Sequence, residues 1–205
     1  MPVIVVANPK GGVGKSTLST NIAGYLASKG QAVMLGDVDR QQSARTWLRL
    51  RPTHLPAIGT WEVAHDEIVR PPKGTTHVVL DTPAGLHGKR LDEVMKLADK
   101  VLIPLQPSIF DIHATHDFIR QLLAHRRSDK VKIAIVGMRT REGTIATDHL
   151  RSFLENLKVP LLGFVRDTQN YVHLAAHGLT LWDVATSRVE RDLAQWQPIT
   201  AWVDA

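Results

Sequence analysis

The segment Lys10-Gly11-Gly12-Val13-Gly14-Lys15-Ser16-Thr17 constrains this chain more than any other part of its sequence. Before it stands Val3-Ile4-Val5-Val6-Ala7, a continuous apolar, β-branched run. Such a run reads as a strand buried on both faces of a parallel sheet. After it, Leu18, Ile22 and Leu26 recur at i, i+4 and i+8, and Gly30 stands where a helix would stop. A glycine-rich turn that leaves a buried strand and opens a helix is the setting a phosphate-binding loop requires. Glycines at 11, 12 and 14 admit backbone conformations closed to other residues and bring N–H groups close to phosphate oxygens. The helix start adds its partial positive charge. In that reading Lys15 reaches the β- and γ-phosphates, Ser16 ligates Mg²⁺ and Thr17 bonds the α-phosphate. One departure from the usual G-x-x-x-x-G-K-[ST] pattern is plain: its first glycine falls at Pro9, and a second lysine, Lys10, precedes the loop glycines.

The rest of the chain alternates strand and helix. Strands are predicted over residues 32–35, ending at Asp37, and over 77–80, ending at Asp81. Others fall at 101–105, 131–136 and 161–165. Helices are predicted over 42–51, around Phe118 to Leu123, along Leu150, Phe153, Leu154 and Leu157, and over 169–177. The tail from Arg188 to Trp202 reads as helical up to Pro198. Residues 52–74, rich in proline, show no clean period. Alternation of this kind implies right-handed crossovers and an α/β fold: a doubly wound, mostly parallel sheet flanked by helices. Ligands in such folds bind beyond the carboxyl ends of the strands, where Asp37, Asp39 and Asp81 fall. No linker or internal repeat divides the chain, so a single domain over residues 1–205 is expected.

Composition narrows the classes. No apolar stretch approaches the roughly 18 residues of a membrane span, and the first seven residues are too short for a secretory signal. The chain has no cysteine, which removes disulfides, thiol catalysis and cysteine-ligated clusters and fits a reducing cytoplasm. A net charge of +5 favours polyanionic partners.

Lys10-Gly11-Gly12-Val13-Gly14-Lys15-Ser16 resembles the deviant Walker A motif of the ParA/MinD family of dimeric P-loop ATPases. The resemblance covers nearly the whole chain. Asp37-Val38-Asp39-Arg40-Gln41 is similar to the family's D-x-D-P-Q segment, with arginine in place of proline. Val78-Val79-Leu80-Asp81-Thr82-Pro83 is similar to its Walker B strand, with Ala84 where a second proline is common. Ile103-Pro104-Leu105-Gln106-Pro107-Ser108, followed by Asp111, is similar to the segment after the next strand.

The resemblance implies a P-loop NTPase fold, with ATP and Mg²⁺ as cofactors. It implies an ATP-dependent homodimer in which Lys10 crosses to the partner's nucleotide, and Asp39 orients the attacking water. Asp81 would hold Mg²⁺ directly or through water, with Ser16 as a ligand, and Arg139, after a strand end, would contact the adenine. Asp37 reads either as a member of this set or as a turn or cap residue. The match is closest to small ParA-type partition or positioning ATPases. The loop begins at residue 8, so no N-terminal DNA-binding extension is expected. Arg40 and Ala84 lie beside catalytic positions and bear on the hydrolysis rate, which is expected to be slow without a partner.

Arg120, Arg126, Arg127, Lys130, Lys132, Arg139 and Arg141 are opposed in their span only by Asp129. They read either as a solvated face or as a DNA-facing patch. Arg126, Arg127, Lys130 and, by resemblance, Arg166 are the candidate DNA contacts. His113 and His116, and His173 and His177, have helical spacing but no matching acid, and read as surface residues. Trp182, Trp196 and Trp202 read as core or interface residues. Three functions follow. The first is a positioning ATPase that binds DNA non-specifically in its ATP state and so associates with the nucleoid. A centromere-binding or adaptor protein would stimulate its hydrolysis. The second is a membrane-cycling ATPase, which the mixed charge of the tail disfavours, so no stable membrane insertion is expected. The third is a metabolic P-loop enzyme acting on a small molecule.

Overall fold

A computed structural model of the chain describes residues 1–39, 41–61, 71–155 and 157–205. Its first strand, β1 (Val3–Val6), is buried along its whole length, as the apolar run demands. The chain then alternates through α1 (Lys15–Ser28), β2 (Val33–Asp37), α2 (Ser43–Leu50), β3 (Ile58–Trp61), β4 (His77–Asp81) and α3 (Gly88–Leu97). It continues through β5 (Lys100–Leu105), α4 (Ile109–Ala124), β6 (Lys132–Thr140), α5 (Ile145–Glu155), β7 (Leu161–Arg166), α6 (Gln169–Ala176) and α7 (Thr186–Asp204). Among the described residues the strands form one sheet in the order β3-β2-β4-β1-β5-β6-β7. Every neighbouring pair is parallel. This is the doubly wound sheet expected from the alternation. The winding reverses around β1, which lies between β4 and β5.

Each face of the sheet carries its own core, because successive side chains of a strand point to opposite faces. Val3 and Val5 face one core with Met95 of α3, Phe118 and Leu122 of α4 and Leu154 of α5. Ile4 and Val6 face the other, with Leu18, Ile22 and Leu26 of α1 and Trp196 and Ile199 of α7. Helix α1 is buried on more than its apolar stripe: Ser19, Thr20, Asn21 and Gly24 are covered as well. A 3₁₀ turn at Leu181–Asp183 packs against it, and Leu181 N–H donates to Asn21 Oδ1 at 3.2 Å.

The structure departs from the sequence reading in places. Strand β3 lies in the unread proline-rich segment, of which residues 62–70 are outside the described residues. Helix α3 is also additional; only Leu91, Val94 and Met95 of it are buried, too few to make its period plain. Strand β6 runs past residue 136 to Thr140. Helix α7 does not stop before Pro198 but continues to Asp204. Its buried residues Val189, Asp192, Trp196, Ile199 and Val203 form one stripe on both sides of the proline, which is exposed. Burial of that stripe outweighs the lost hydrogen bond. Lys100 Nζ then closes the helix end, donating to Trp202 O at 3.1 Å and Val203 O at 2.6 Å. Trp196 is a core residue, whereas Trp182 and Trp202 are half-buried against the same core.

Gly24 is where α1 admits the 3₁₀ turn: a Cβ there would overlap the Thr180 side chain. Gly24→Ala gains about 1 kcal/mol of helix propensity yet should lower stability by a net 1–3 kcal/mol or so through overpacking. Urea unfolding of the two proteins measures this; an alanine variant as stable as the parent would refute the close contact.

Candidate functional site

The loop after β1 is shaped by two left-handed glycines, Gly12 at φ 75° and Gly14 at φ 95°. Gly14 caps α1, and a Cβ on it would run into the Met138 side chain of β6. The loop therefore lies close over the sheet, with the start of α1 aimed into the space above. Lys15 is buried and its ammonium bridges the loop, donating to Asn8 O at 3.3 Å and Lys10 O at 2.6 Å. Desolvation lowers its pKa, while the charges of Asp81 and Asp39 work in the opposite sense. Gln106, after β5, donates from Nε2 to Gly12 O at 2.7 Å and braces the far side.

The three acids at strand ends have separate tasks. Asp37 is the cap: its Oδ2 accepts from Ala44 N at 2.9 Å and Arg45 N at 3.1 Å, at the start of α2. Its Oδ1 accepts from Asp39 N at 3.0 Å, which fixes the turn that presents Asp39. Asp39 is half-buried, and its Oδ1 accepts from Gln41 N at 3.0 Å. Asp81 ends β4 at 1% exposure, beneath α1, with Ser19 Oγ 3.2 Å from its Oδ1. Burial pushes its carboxyl up to about 7, against the downward pull of a hydrogen bond from Ser16. A buried carboxylate with two serine hydroxyls beside it is a hard-oxygen donor set that suits Mg²⁺. Arg40 lies outside the described residues.

Above these groups opens a cleft of about 570 Å³. Its floor is Gly11, Gly12, Gly14, Lys15, Ser16 and Thr17; Asp39 and Gln41 wall one side, and Pro83, Ala84 and Arg90 stand beyond the end of β4. Arg139 lines it from β6, in a left-handed conformation at φ 51°. The cleft thus gathers Lys15, Ser16, Thr17, Asp39 and Arg139. Val13 and Asp81, each at 1% exposure, are not part of the cleft lining. Lys10 is half-buried and does not line the cleft of its own chain.

Residues 4–181 match the CobQ/CobB/MinD/ParA nucleotide binding domain. The chain belongs to that family of P-loop ATPases. It is 30% identical over 190 residues to the maintenance of carboxysome distribution protein A of Halothiobacillus neapolitanus, covering 88% of this chain and 87% of the relative. In fold it is similar to the MinD cell division protein of Aquifex aeolicus, with TM-score 0.70, 21% identity and coverage of 88% and 89%. It is also similar to a cobyrinic acid a,c-diamide synthase from Mycobacterium smegmatis with bound ATP analog and magnesium. There the TM-score is 0.66, identity 19%, and coverage 86% of this chain and 93% of the other.

In this ParA/MinD-family chain the candidate DNA contacts do not share a surface. Arg126, Arg127 and Lys130 precede β6, at the amino edge of the sheet, while Arg166 ends β7 at the carboxyl edge, paired in register with Thr140. Strand β6 separates the two edges by roughly 25–30 Å. Arg127 is turned inward: its Nη1 donates to Lys96 O near the end of α3, and its Nε is buried with no partner among the described residues. Arg166 is committed to Asp192, with Nε 2.6 Å from Oδ1 and Nη2 3.2 Å from Oδ2. Arg126 and Lys130 are exposed. Two residues of the cleft region were not singled out from sequence, Asn8 and Arg90. Asn8 follows the first strand, which was a readable signal; Arg90 gave none, since its place depends on the turn after β4.

The buried Asp81 carboxyl supplies a pH test. An unfolded aspartate releases its proton near pH 3.9 or so, whereas the folded chain keeps it to about 7. Between those values the folded state binds more protons, so stability of the metal-free protein falls as pH rises through that window. Asp81→Asn should remove this fall and raise the melting temperature at about pH 8 more than at about pH 5. Thermal unfolding in chelator decides it; a variant with the parent's pH dependence would exclude Asp81 as the cause.

Proposed function

We propose that this chain is an ATPase that dimerises on Mg-ATP and positions DNA or a protein assembly by ATP-gated, non-specific DNA binding. The observation that carries the reading is the pairing of one lysine inside the cleft with one outside it. Lys15 bridges the loop and exchanges its two carbonyl partners for β- and γ-phosphate oxygens. Lys10, outside the lining of its own cleft, would reach the nucleotide of a second copy of the chain. The N–H groups from Gly11 to Gly14 cradle the phosphates, Thr17 bonds the α-phosphate and Arg139 lies toward the base. Ser16 and Asp81 would hold Mg²⁺, which when bound would supply positive charge against that building on the phosphoryl group. Asp39, fixed by its turn, orients the attacking water. Lys10 from the partner adds transition-state charge as an arginine finger does.

Cargo and partners follow from the relatives. The Halothiobacillus relative is named for carboxysome distribution, which supports a protein assembly as cargo beside plasmid or chromosomal DNA. An adaptor or centromere-binding protein would stimulate hydrolysis and reset the cycle. Membrane cycling is disfavoured because the apolar stripe of α7 is already spent against the sheet. Among the described residues no helix is long and apolar enough to cross a membrane.

DNA binding that is gated by dimerisation needs basic residues that phosphates can reach in both subunits. At the carboxyl edge, Arg141 and Arg191 are exposed, beside a cavity of about 500 Å³. Their partners, Asp167 and Glu142, are surface pairs that a phosphate can replace. A dimer doubles such contacts, and log affinity against log salt steepens by about 0.9 for each. This surface then associates with the nucleoid only in the ATP state.

Three sets of measurements test the reading. Lys15→Ala should abolish ATP binding, whereas Asp39→Ala should keep binding and stop turnover; calorimetry with phosphate release reads both. Normal turnover in the Asp39 variant would remove it from the mechanism. Light scattering with a non-hydrolysable ATP analogue should show a doubled mass that Lys10→Ala weakens. In DNA retention under the same conditions, Arg141→Glu with Arg191→Glu should abolish the analogue-dependent part, and Arg126→Glu should not. A monomer that ignores DNA in every nucleotide state would sink this proposal and favour a metabolic enzyme.

A further inference from the structure

The cleft has a basic residue that the phosphate-loop motif does not supply. Arg90 stands on the first turn of α3, nine residues along the chain from Asp81, and lines the cleft with Lys15, Asp39 and Ala84. The connection that carries it turns at Gly85, φ 74°, and Gly88, φ 56°. It is stitched to the phosphate loop itself. Gly85 N–H donates to Pro9 O at 2.8 Å, and Thr82 Oγ1 donates to Val6 O at 2.9 Å. Leu86 and Leu91, at 3% and 6% exposure, anchor the segment on either side of the arginine. The loop and the start of α3 are therefore one braced unit, with Arg90 at its mouth. Among the described residues no acid pairs with Arg90, and its side chain is exposed. Arg141, Arg166 and Arg191, by contrast, are each paired with a carboxylate.

The side of the cleft decides what Arg90 can touch. Helix α3 follows β4, which lies between β1 and β2, and β2 leads to Asp39. Arg139 comes from β6, across β1 and β5. With phosphates seated on residues 11–17 and the base toward Arg139, the terminal phosphate faces the side that holds Asp39, Asp81 and Arg90. We infer that Arg90 binds the γ-phosphate from within the same subunit, a contact that ADP cannot make. A guanidinium suits that task, because its planar fork can take two phosphate oxygens at once and does not lose its charge. The arrangement makes the chain's preference for ATP over ADP a property of each subunit before any partner docks. Lys10 then acts after assembly and Arg90 before it.

The inference rests on the Mg-ATP reading of the cleft, and the test separates the two. Calorimetry of the full chain with Mg²⁺ and either ADP or a non-hydrolysable ATP analogue is run on the parent, Arg90→Ala, Arg90→Lys and Lys89→Ala. Dilution to a concentration at which light scattering shows monomer keeps the partner's Lys10 out of the measurement. Arg90→Ala should lose about tenfold or more in analogue affinity, the range of a charged hydrogen bond, and keep its ADP affinity. Arg90→Lys should recover part of the loss. Lys89→Ala removes the same charge one residue away, outside the cleft lining, and should change neither affinity. Equal losses for both nucleotides in Arg90→Ala, no loss for either, or the same pattern in Lys89→Ala would overturn the inference and leave the ATP reading standing. A parent chain that binds neither nucleotide would overturn both.

Discussion

One buried side chain, Asn8, holds the functional end of this molecule together. It has no exposed surface, and its amide donates to Pro104 O at 2.8 Å and Thr115 Oγ1 at 2.9 Å. Its Oδ1 accepts from Lys10 N at 2.8 Å, and its main-chain oxygen accepts from Lys15 Nζ. Asn8 therefore ties the end of β1 to β5, to the middle of α4 and to both lysines of the loop. A polar group this deep is tolerable only because it is fully bonded, and removing one bond would leave its partners unsatisfied. The loop keeps its shape because Asn8 cannot move without breaking several bonds at once.

The same logic distributes the acids. Asp37 spends its carboxylate on backbone N–H groups at the start of α2, so it is a strut, and the turn it closes presents Asp39. Asp81 is placed where desolvation penalises its charge. A cation bound there would relieve that penalty, so metal affinity would depend on the burial that β4 and α1 provide. The site is thus built with one carboxylate spent on backbone N–H groups, one buried beneath the loop and one left at the cleft wall.

What could be read from sequence was what depends on neighbours along the chain. The loop is contiguous from residue 10 to 17, its glycines dictate the backbone locally, and a strand and a helix of opposite periodicity frame it. The parallel sheet followed from alternation alone. What escaped depends on how distant segments meet. Whether Asp37 joined Asp39 in the site or capped a turn stayed open, because α2 had to be placed before its cap could be recognised. Arg90 needed the Gly85–Pro9 hydrogen bond to bring α3 to the cleft. Strand β3 has four residues, Ile58–Trp61, too few for a period to show among prolines. The run of bases from 120 to 141 looked like one patch because sequence proximity hides that β6 crosses the whole sheet between them. The stop expected at Pro198 failed because a buried stripe continued past it.

The arginines at the carboxyl edge show why burial, and not charge, sorts candidates for a polyanion. Arg141–Asp167 at 2.7 Å and Arg191–Glu142 at 3.3 Å are pairs between exposed side chains. Such pairs are worth about 0–1 kcal/mol, so a phosphate that displaces the carboxylate loses little. Arg166 differs although its side chain is partly exposed, because Asp192 beneath it has no exposure at all. Asn170 Nδ2 donates to the same carboxylate at 2.7 Å, and Gln195 Oε1 accepts from Arg166 N at 3.0 Å. Moving Arg166 to a phosphate would leave a buried charge without its cation, at a cost of roughly 3–5 kcal/mol. No single phosphate contact of the kind that sets non-specific DNA affinity returns that much. Arg166 is therefore a strut between β7, α6 and α7, and it holds α7 so that Arg191, one residue before Asp192, stays on the outer side of the helix.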